Sequence, residues 1–477
     1  MPAALPSSGR KPPLPTPTMI APPSARLDYQ EGTIALRGLD TVPEGMPVEG
    51  RSDPRDGALR FEAVDYAPVV QWLRDRGVVV EDRARRFEKL ALALRVSQRP
   101  FPHQREAIDG WIAGQRRGVV VLPTGAGKSY VAVLAIYRTQ RSTLVVVPTL
   151  DLVSQWWGVL SSAFGCEVGV VGGGYHEVRD LCVATYDSAF LHAERLGNRF
   201  GLVVFDECHH LPSESYAFAA RACIAPYRLG LTATPERADG RDALLGRLVG
   251  PVAYRKEITE LSGSYLADYD VRSLRVELTE AEREEYDRER QLYLAFVRSR
   301  RIDFSDPRGW TRFVMEAARS PDGRRAFRAW RRHKELALAA SAKMDLLGRL
   351  LHQHRAERTI VFTQDNATAY QIARRFLVPI ITHHTRPKER SAILAGLRDG
   401  TYGAVVTSKV LNEGVDVPEA NVAVVLSGSG SVREHVQRLG RILRHAEGKR
   451  AVLYEVVSAS TSEEWVSRRR REHGAYR

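Results

Sequence analysis

Short apolar runs recur along this chain, and the residues between them mostly keep helical spacing. Residues 119–122, Thr143–Val147, 182–185, 202–205 and 229–231 are continuous apolar stretches of a length that suits strands buried on both faces. Past Ser341 the rhythm resumes with Thr359–Phe362, 379–382, Ala404–Thr407, 422–426 and 451–457, with helical spans such as 367–376 and 390–397 between them. Strand and helix alternating in this way predict an α/β fold of two parallel-sheet lobes, each with its ligands at the carboxyl ends of the strands.

The remaining pattern predicts the flanking units. Residues 1–26 are dense in Pro, Ser, Thr and Ala and cannot bury enough apolar surface to order themselves, so a disordered tail is expected; a Pro-rich docking ligand is the alternative. Residues 27–96 read as a small α+β module. It should hold a strand at GTIALRG, a helix in VVQWLRDRG, then a strand and a second helix in VVVEDRARRFEKLALAL. The first lobe is expected over 97–270 and the second over 341–477. Between them, 271–340 should be a helical insert whose first helix carries Tyr286, Tyr293, Phe296 and Val297 near helical spacing.

Composition sharpens this picture without redirecting it. At 477 residues, 44% hydrophobic and 27% charged, the chain has material for several cores. Its net charge of +13 favours a polyanionic partner. The excess is concentrated: from Arg298 to Lys334 there are twelve Arg or Lys against four Asp or Glu, interleaved with Trp310, Phe313, Phe327 and Trp330. The aromatics suit the inner face of a helical insert. The arginines, among them Arg324, Arg325, Arg328, Arg331 and Arg332, suit phosphate contacts, with a plain solvated face as the alternative. Four scattered cysteines give no disulfide framework, no run approaches the ~18 residues of a membrane span, and the first residues lack a signal-peptide core. A cytoplasmic monomer is the expectation.

Chemistry enters at VVLPTGAGKSY. An apolar strand ends at Pro123, Thr124-Gly125-Ala126-Gly127 makes a permissive turn, and Lys128-Ser129 opens a helix. Backbone N–H groups converge on such a turn with a helix N-terminus behind them, which cradles a polyphosphate. Lys128 would reach the β- and γ-phosphates and Ser129 would ligate Mg²⁺, so ATP and Mg²⁺ are the expected cofactors. Leu122 stands where the general pattern has Gly. Asp206-Glu207-Cys208-His209-His210 follows a buried strand, where Asp206 suits Mg²⁺ and Glu207 suits polarising a hydrolytic water. Zinc binding by Cys208, His209 and His210 is disfavoured because contiguous residues converge poorly on one ion. Thr232 and Thr234, at the next strand end, can hydrogen-bond the acid pair across the cleft. In the second lobe, Arg438, Arg441 and Arg444 share a helix face, and two such guanidiniums aimed at a γ-phosphate would act as arginine fingers.

The ordered set TGAGKS, VVVPTLDLVSQW, VATYDS, DECHH, LTATPER, VFTQ, TSKVLNEGVDVPEANVAVVLSGSGS and QRLGRILR resembles the superfamily 2 helicases, and within them the XPB family of DNA helicases in its short form. The resemblance implies two RecA-like lobes with ATP between them, DNA across their tops, 3′-to-5′ movement and a role in DNA repair. It matches Gln104 to the adenine-reading glutamine, Gly414 and Asp416 to a motif touching ATP and strand, and Gln437, Arg438 and Arg441 to the arginine-finger motif. It makes residues 27–96 a damage-recognition module and the insert a DNA-engaging thumb. The family's Arg-Glu-Asp stands here as Arg237-Ala238-Asp239, a change that bears on strand separation rather than on ATP hydrolysis; Arg237 and Asp239 remain candidate nucleic-acid contacts. His383-His384-Thr385 replaces a common Gly-x-Thr. An RNA helicase uses the same motor, and an ATP-clamped scaffold that recruits a nuclease partner is a further alternative.

Overall fold

The computed structural model describes residues 25–39, 41–237, 239–263, 265–306, 308–408, 420–427 and 450–470. Three sheets organise them. The first has five strands in the order Arg51–Ser52, Leu59–Glu62, Thr33–Arg37, Ala25–Gln30, Val80–Asp82, antiparallel except for the last pair. The helix Tyr66–Asp75 contributes Val69, Trp72 and Leu73 to its core, and Ile224 of the next lobe packs into the same cluster. The module is therefore docked onto its neighbour rather than tethered. Tyr29 donates to the Ala222 carbonyl at 2.7 Å, Asn198 Nδ2 donates to the Ala84 carbonyl at 2.9 Å, and Arg247 pairs with Glu62 at 2.7 Å.

The second sheet has eight strands, in the order Val252–Arg255, Arg117–Val121, Tyr227–Thr232, Leu202–Asp206, Thr143–Val147, Leu181–Thr185, Val168–Gly172, Tyr175–Glu177. All pairings are parallel except the edge hairpin through Gly172–Tyr175. Continuous apolar strands need cover on both faces, and helices such as Lys128–Thr139 and Leu150–Phe164 supply it. A fully buried guanidinium fastens one end of this lobe. Arg228 donates to the carbonyls of Ala225, Ala220, Leu248 and Cys223. Burial lowers its pKa to about 10.

The third sheet is wholly parallel and six-stranded: Asp268–Val276, Arg450–Ser458, Val422–Val425, Thr359–Phe362, Ala404–Thr407, Ile380–Ile381. Its first strand precedes the insert in sequence. Residues 271–276, expected with the insert, thus belong to the second lobe's sheet, and the insert follows that sheet's edge strand. The insert's helices are Glu280–Ser299, Gly309–Arg319 and Pro321–Leu338. Thr279 and Glu282 form a reciprocal cap at its start, and the other oxygen of Glu282 accepts from Ser341 N at 2.9 Å, tying the insert's entrance to its exit. Phe313 is fully buried among Tyr293, Phe296, Phe327 and Trp330; of the aromatics read as the inner face, Trp310 is instead exposed, with one side of its ring against Phe313 and Trp330.

The second helix expected before residue 96 is absent. Residues 83–101 run without helix across the first lobe. Leu90 N donates to the Gln140 carbonyl, Leu92 N to Gln140 Oε1, and Arg95 N to the Ala163 carbonyl. Leu90, Leu92, Leu94 and Val96 recur every second residue and pack against the lobe's core, so the period of an extended strap won over helix propensity. No described helix is long and apolar enough to cross a membrane.

Candidate active site

The site grows from the carboxyl end of strand Arg117–Val121. Leu122 still belongs to the sheet: its N–H donates to the Thr232 carbonyl at 3.0 Å and its side chain is fully buried, which is why an apolar residue replaces Gly there. After Pro123 the chain turns through left-handed conformations at Gly125 (φ +91°) and Gly127 (φ +79°). Gly127 is also sterically required, since a Cβ there would lie 2.3 Å from Gln104 Nε2. Helix Lys128–Thr139 begins at once, so its unpaired N–H groups face the turn. Lys128 Nζ donates to the Leu122 carbonyl at 3.3 Å, and the Thr124 hydroxyl is buried without a hydrogen-bond partner. A cradle with an orphan hydroxyl and a lysine turned onto its own loop fits a polyphosphate.

Asp206 ends the neighbouring strand but one in the same sheet. Its Oδ2 accepts from Trp156 Nε1 at 2.8 Å and its Oδ1 from Glu207 N at 3.1 Å. Burial raises its pKa, while the Trp156 bond and the nearby Lys128 ammonium favour the charged form. Asp206 and Ser129 are hard oxygen donors on elements flanking the loop, the ligand set Mg²⁺ takes. Glu207 adopts a left-handed backbone (φ +47°), which costs about 1–2 kcal/mol for a residue with a Cβ. Its Oε2 is buried with no hydrogen-bond partner, and His209 Nδ1 lies 3.4 Å away.

The threonine motif is wired differently from expectation. Thr232 does not reach the acid pair itself; its hydroxyl is 3.0 Å from His209 Nδ1, and it also bonds Thr234 through both N–H and carbonyl. The fully buried His209 therefore stands between Glu207 and Thr232. Sequence reasoning weighed this histidine only as a metal ligand, because a strand-end contact is not a spacing signal. Cys208 is buried against Gly230, and burial pushes its thiol well above the ordinary range. The bond from Trp156 to Asp206 likewise leaves no spacing signal.

Beside the loop lies a cavity of about 630 Å³, lined by Gly125–Gly127 and Ser129, by Phe101, His103, Gln104 and Tyr265, and by apolar side chains including Val133 and Val159. Gln104 Oε1 accepts from Phe101 N at 3.0 Å and its Nε2 donates to the Ala126 carbonyl at 3.2 Å; His103 Nε2 lies 2.9 Å from that carbonyl.

The nucleic-acid candidates divide. Arg324, Arg325, Arg328 and Arg331 are exposed along helix Pro321–Leu338. Arg332 is already paired with Glu285, at 2.7 and 3.0 Å, and with Glu335, so it is a structural residue of the insert and not a free phosphate ligand. Arg237 is held bidentately by Asp239 at 2.9 and 2.7 Å and donates to the His209 carbonyl at 2.7 Å, which engages both residues within the lobe. Gly414, Asp416, Gln437, Arg438 and Arg441 lie outside the described residues, as does Ala238.

Comparison with known proteins agrees with this geometry. Residues 27–84 match the xeroderma pigmentosum group B helicase damage recognition domain, 97–237 the type III restriction enzyme res subunit, and 329–474 the ERCC3/RAD25/XPB C-terminal helicase. A DNA 3′-5′ translocase XPB2 of Sulfurisphaera tokodaii is 40% identical over 87% of this chain and 93% of its own. The chain belongs to the XPB family. A second XPB relative, the DNA 3′-5′ helicase XPB of Kineococcus radiotolerans, is 33% identical over 91% of this chain and 75% of its own. The two-lobed RecA-like architecture of this XPB-family chain is shared with Saccharomyces cerevisiae Dbp5 bound to RNA and ADP BeF3, at a TM-score of 0.55 and 15% identity over 79% of this chain and 88% of that one.

Proposed function

We propose that this chain is an ATP-driven 3′-to-5′ DNA helicase that opens duplexes during DNA repair. It is an ATP-hydrolysing helicase of superfamily 2 by family membership. The observation that carries the mechanism is the chain of contacts from Glu207 through His209 to Thr232, whose backbone carbonyl holds Leu122, at the end of the strand that leads into the phosphate loop.

In this reading Thr124, Gly125, Ala126, Gly127 and Lys128 hold the triphosphate, and Gln104 reads the base. Ser129 and Asp206 hold Mg²⁺, which neutralises phosphate charge when bound. Glu207 polarises the attacking water; its buried Oε2, which makes no hydrogen bond and has His209 Nδ1 at 3.4 Å, and its strained backbone support that role. Thr232 and Thr234 carry the change at the γ-phosphate toward Arg237 and Asp239. Gln437, Arg438 and Arg441, with Gly414 and Asp416, complete the site from the second lobe as arginine fingers and sensors. The exposed insert arginines grip the DNA backbone. We further propose a cytoplasmic monomer that hands opened DNA to a nuclease partner.

The test is ATP turnover with single-stranded DNA, duplex DNA and RNA, followed by strand displacement on tailed duplexes of both polarities, with and without a nuclease. DNA-stimulated turnover should vanish in Lys128→Ala and Glu207→Gln. Its retention by either variant overturns the site assignment, and stronger stimulation by RNA reassigns the substrate.

A further inference from the structure

The cavity beside the phosphate loop has a wall that comes from outside the phosphate-binding elements. Tyr265 sits in the turn between helix Ile258–Leu261 and strand Asp268–Val276, the first strand of the second lobe's sheet. Its ring stands edge-on to His103 at 4.9 Å between centroids and tilted against Phe101 at 5.2 Å. The turn is well anchored. Tyr265 N donates to the Leu261 carbonyl and Gly263 N to the Leu266 carbonyl, both at 2.9 Å, with Gly263 at φ +76°. Leu261 and Leu266 are buried in the first lobe's core.

We propose that Tyr265 is a base-recognising wall of the nucleotide site, selecting a purine by its face and tying base binding to the link between the lobes. This rests on the reading of the loop as a triphosphate site. The cavity runs without a break from the phosphate loop to the three rings, and its volume suits a nucleotide-sized ligand. Gln104, the residue suited to reading a base edge, gives one lone pair and one N–H of its amide to the chain, and the second N–H and lone pair can meet only the edge of a base, never its face. Discrimination by the flat face of the base therefore falls to the rings, and a purine offers more face than a pyrimidine. A base seated against Tyr265 presses on a turn whose next residues begin the second lobe's sheet, so base occupancy bears directly on the connection through which the lobes move.

The full-length protein, Tyr265→Ala and Tyr265→Phe should be compared in two measurements. One is fluorescence of 2-aminopurine riboside triphosphate on binding, which reports stacking without turnover. The other is kcat and KM for ATP and for UTP in the presence of DNA. We expect Tyr265→Ala to lose the fluorescence quench, to raise KM for ATP about tenfold or more while kcat changes by less than about twofold, and to erase the preference for ATP over UTP. Tyr265→Phe should restore all three. An unchanged quench and an unchanged ATP:UTP ratio in Tyr265→Ala overturn the proposal, and so does a Tyr265→Phe variant as impaired as Tyr265→Ala. If the wild type hydrolysed no triphosphate, the ATPase reading would fall, and the fluorescence titration would still decide the role of Tyr265.

Discussion

The imidazole Nδ1 of His209 lies 3.0 Å from the hydroxyl of Thr232, deep in the first lobe and out of reach of solvent. The same nitrogen is 3.4 Å from Glu207 Oε2, and the carbonyl of His209 accepts from Arg237 at 2.7 Å. One buried residue thus meets the residue suited to hydrolysis and the threonine motif through its ring, and the arginine that follows through its backbone carbonyl. A contact of this kind can transmit a change at the γ-phosphate without any long-range rearrangement.

His209→Ala should therefore uncouple rather than inactivate. We expect ATP turnover without DNA to stay within about fivefold of wild type, because Lys128, Asp206 and Glu207 remain, while stimulation by DNA and strand displacement fall by about tenfold or more. Steady-state turnover with and without DNA, set beside a displacement assay, checks this. Equal losses in all three measurements would make His209 a plain structural residue.

What the sequence conveyed follows from which physical signals are local. Five strands of each lobe were legible because doubly covered strands are apolar throughout, whereas Val168–Gly172, Tyr175–Glu177 and Val252–Arg255 lack such a run and were not read; the phosphate loop was legible because Gly125 and Gly127 meet a backbone demand at fixed spacing. The strap over 83–101 was misread because RARRFEKLALAL fits a helix when Leu90, Leu92 and Leu94 are not weighed as a period of two. Strand Asp268–Val276 was assigned to the wrong unit because its partner in the sheet, Arg450–Ser458, lies some 180 residues further along, and pairing at that distance leaves no mark on either segment. His209, Trp156 and Tyr265 were missed for the same reason: each is defined by what lies across a cleft.

Among the insert arginines, phosphate contact and structural pairing can be separated. Replacing Arg324, Arg325, Arg328 and Arg331 by Gln should weaken DNA binding and flatten the plot of log affinity against log salt, by about 0.7–0.9 for each phosphate left without its guanidinium. Arg332→Gln should leave that slope unchanged and lower stability by only about 0.2–1 kcal/mol, the range for a partly exposed pair such as Arg332 with Glu285. Binding isotherms at several salt concentrations decide between them. A slope that falls as much for Arg332→Gln as for its neighbours would contradict the assignment.

Asp65 should make the docking of the N-terminal module pH-sensitive. It is largely buried against the first lobe, and burial raises its pKa above the ordinary 3.8 although Arg247 at 3.3 Å opposes the shift. A carboxyl whose folded pKa is raised binds protons more readily folded than unfolded. Its contribution is therefore most favourable at low pH and declines as pH rises from 3.8 through the folded value. Asp65→Asn carries no such charge, so its melting temperature at neutral pH should equal or exceed that of wild type, and the difference between the two should shrink toward pH 4. Thermal melts across that range test the sign, and an Asn variant less stable at neutral pH would show that the Arg247 pair outweighs burial.

The second lobe depends on a buried ion pair of a different kind. Lys343 Nζ donates to Glu463 Oε2 at 2.5 Å and to the Leu426 carbonyl at 2.7 Å, and the same Glu463 oxygen accepts from Ser458 N at 3.0 Å. Both side chains are almost wholly removed from water. The pair thereby joins the helix Ser341–Gln353, the ends of two sheet strands and the helix Ser462–Arg470. Removing either partner strands the other charge in a dry site, so Lys343→Met and Glu463→Leu should each cost about 3–5 kcal/mol in chemical denaturation. The double variant should be destabilised by less than the sum of the two, because no unpaired charge remains and only the Leu426 carbonyl and Ser458 N–H are left without a partner, at about 1–3 kcal/mol for each. Strict additivity would mean that the two groups do not depend on one another. The lobe that carries the predicted arginine fingers would then owe its rigidity to apolar packing alone.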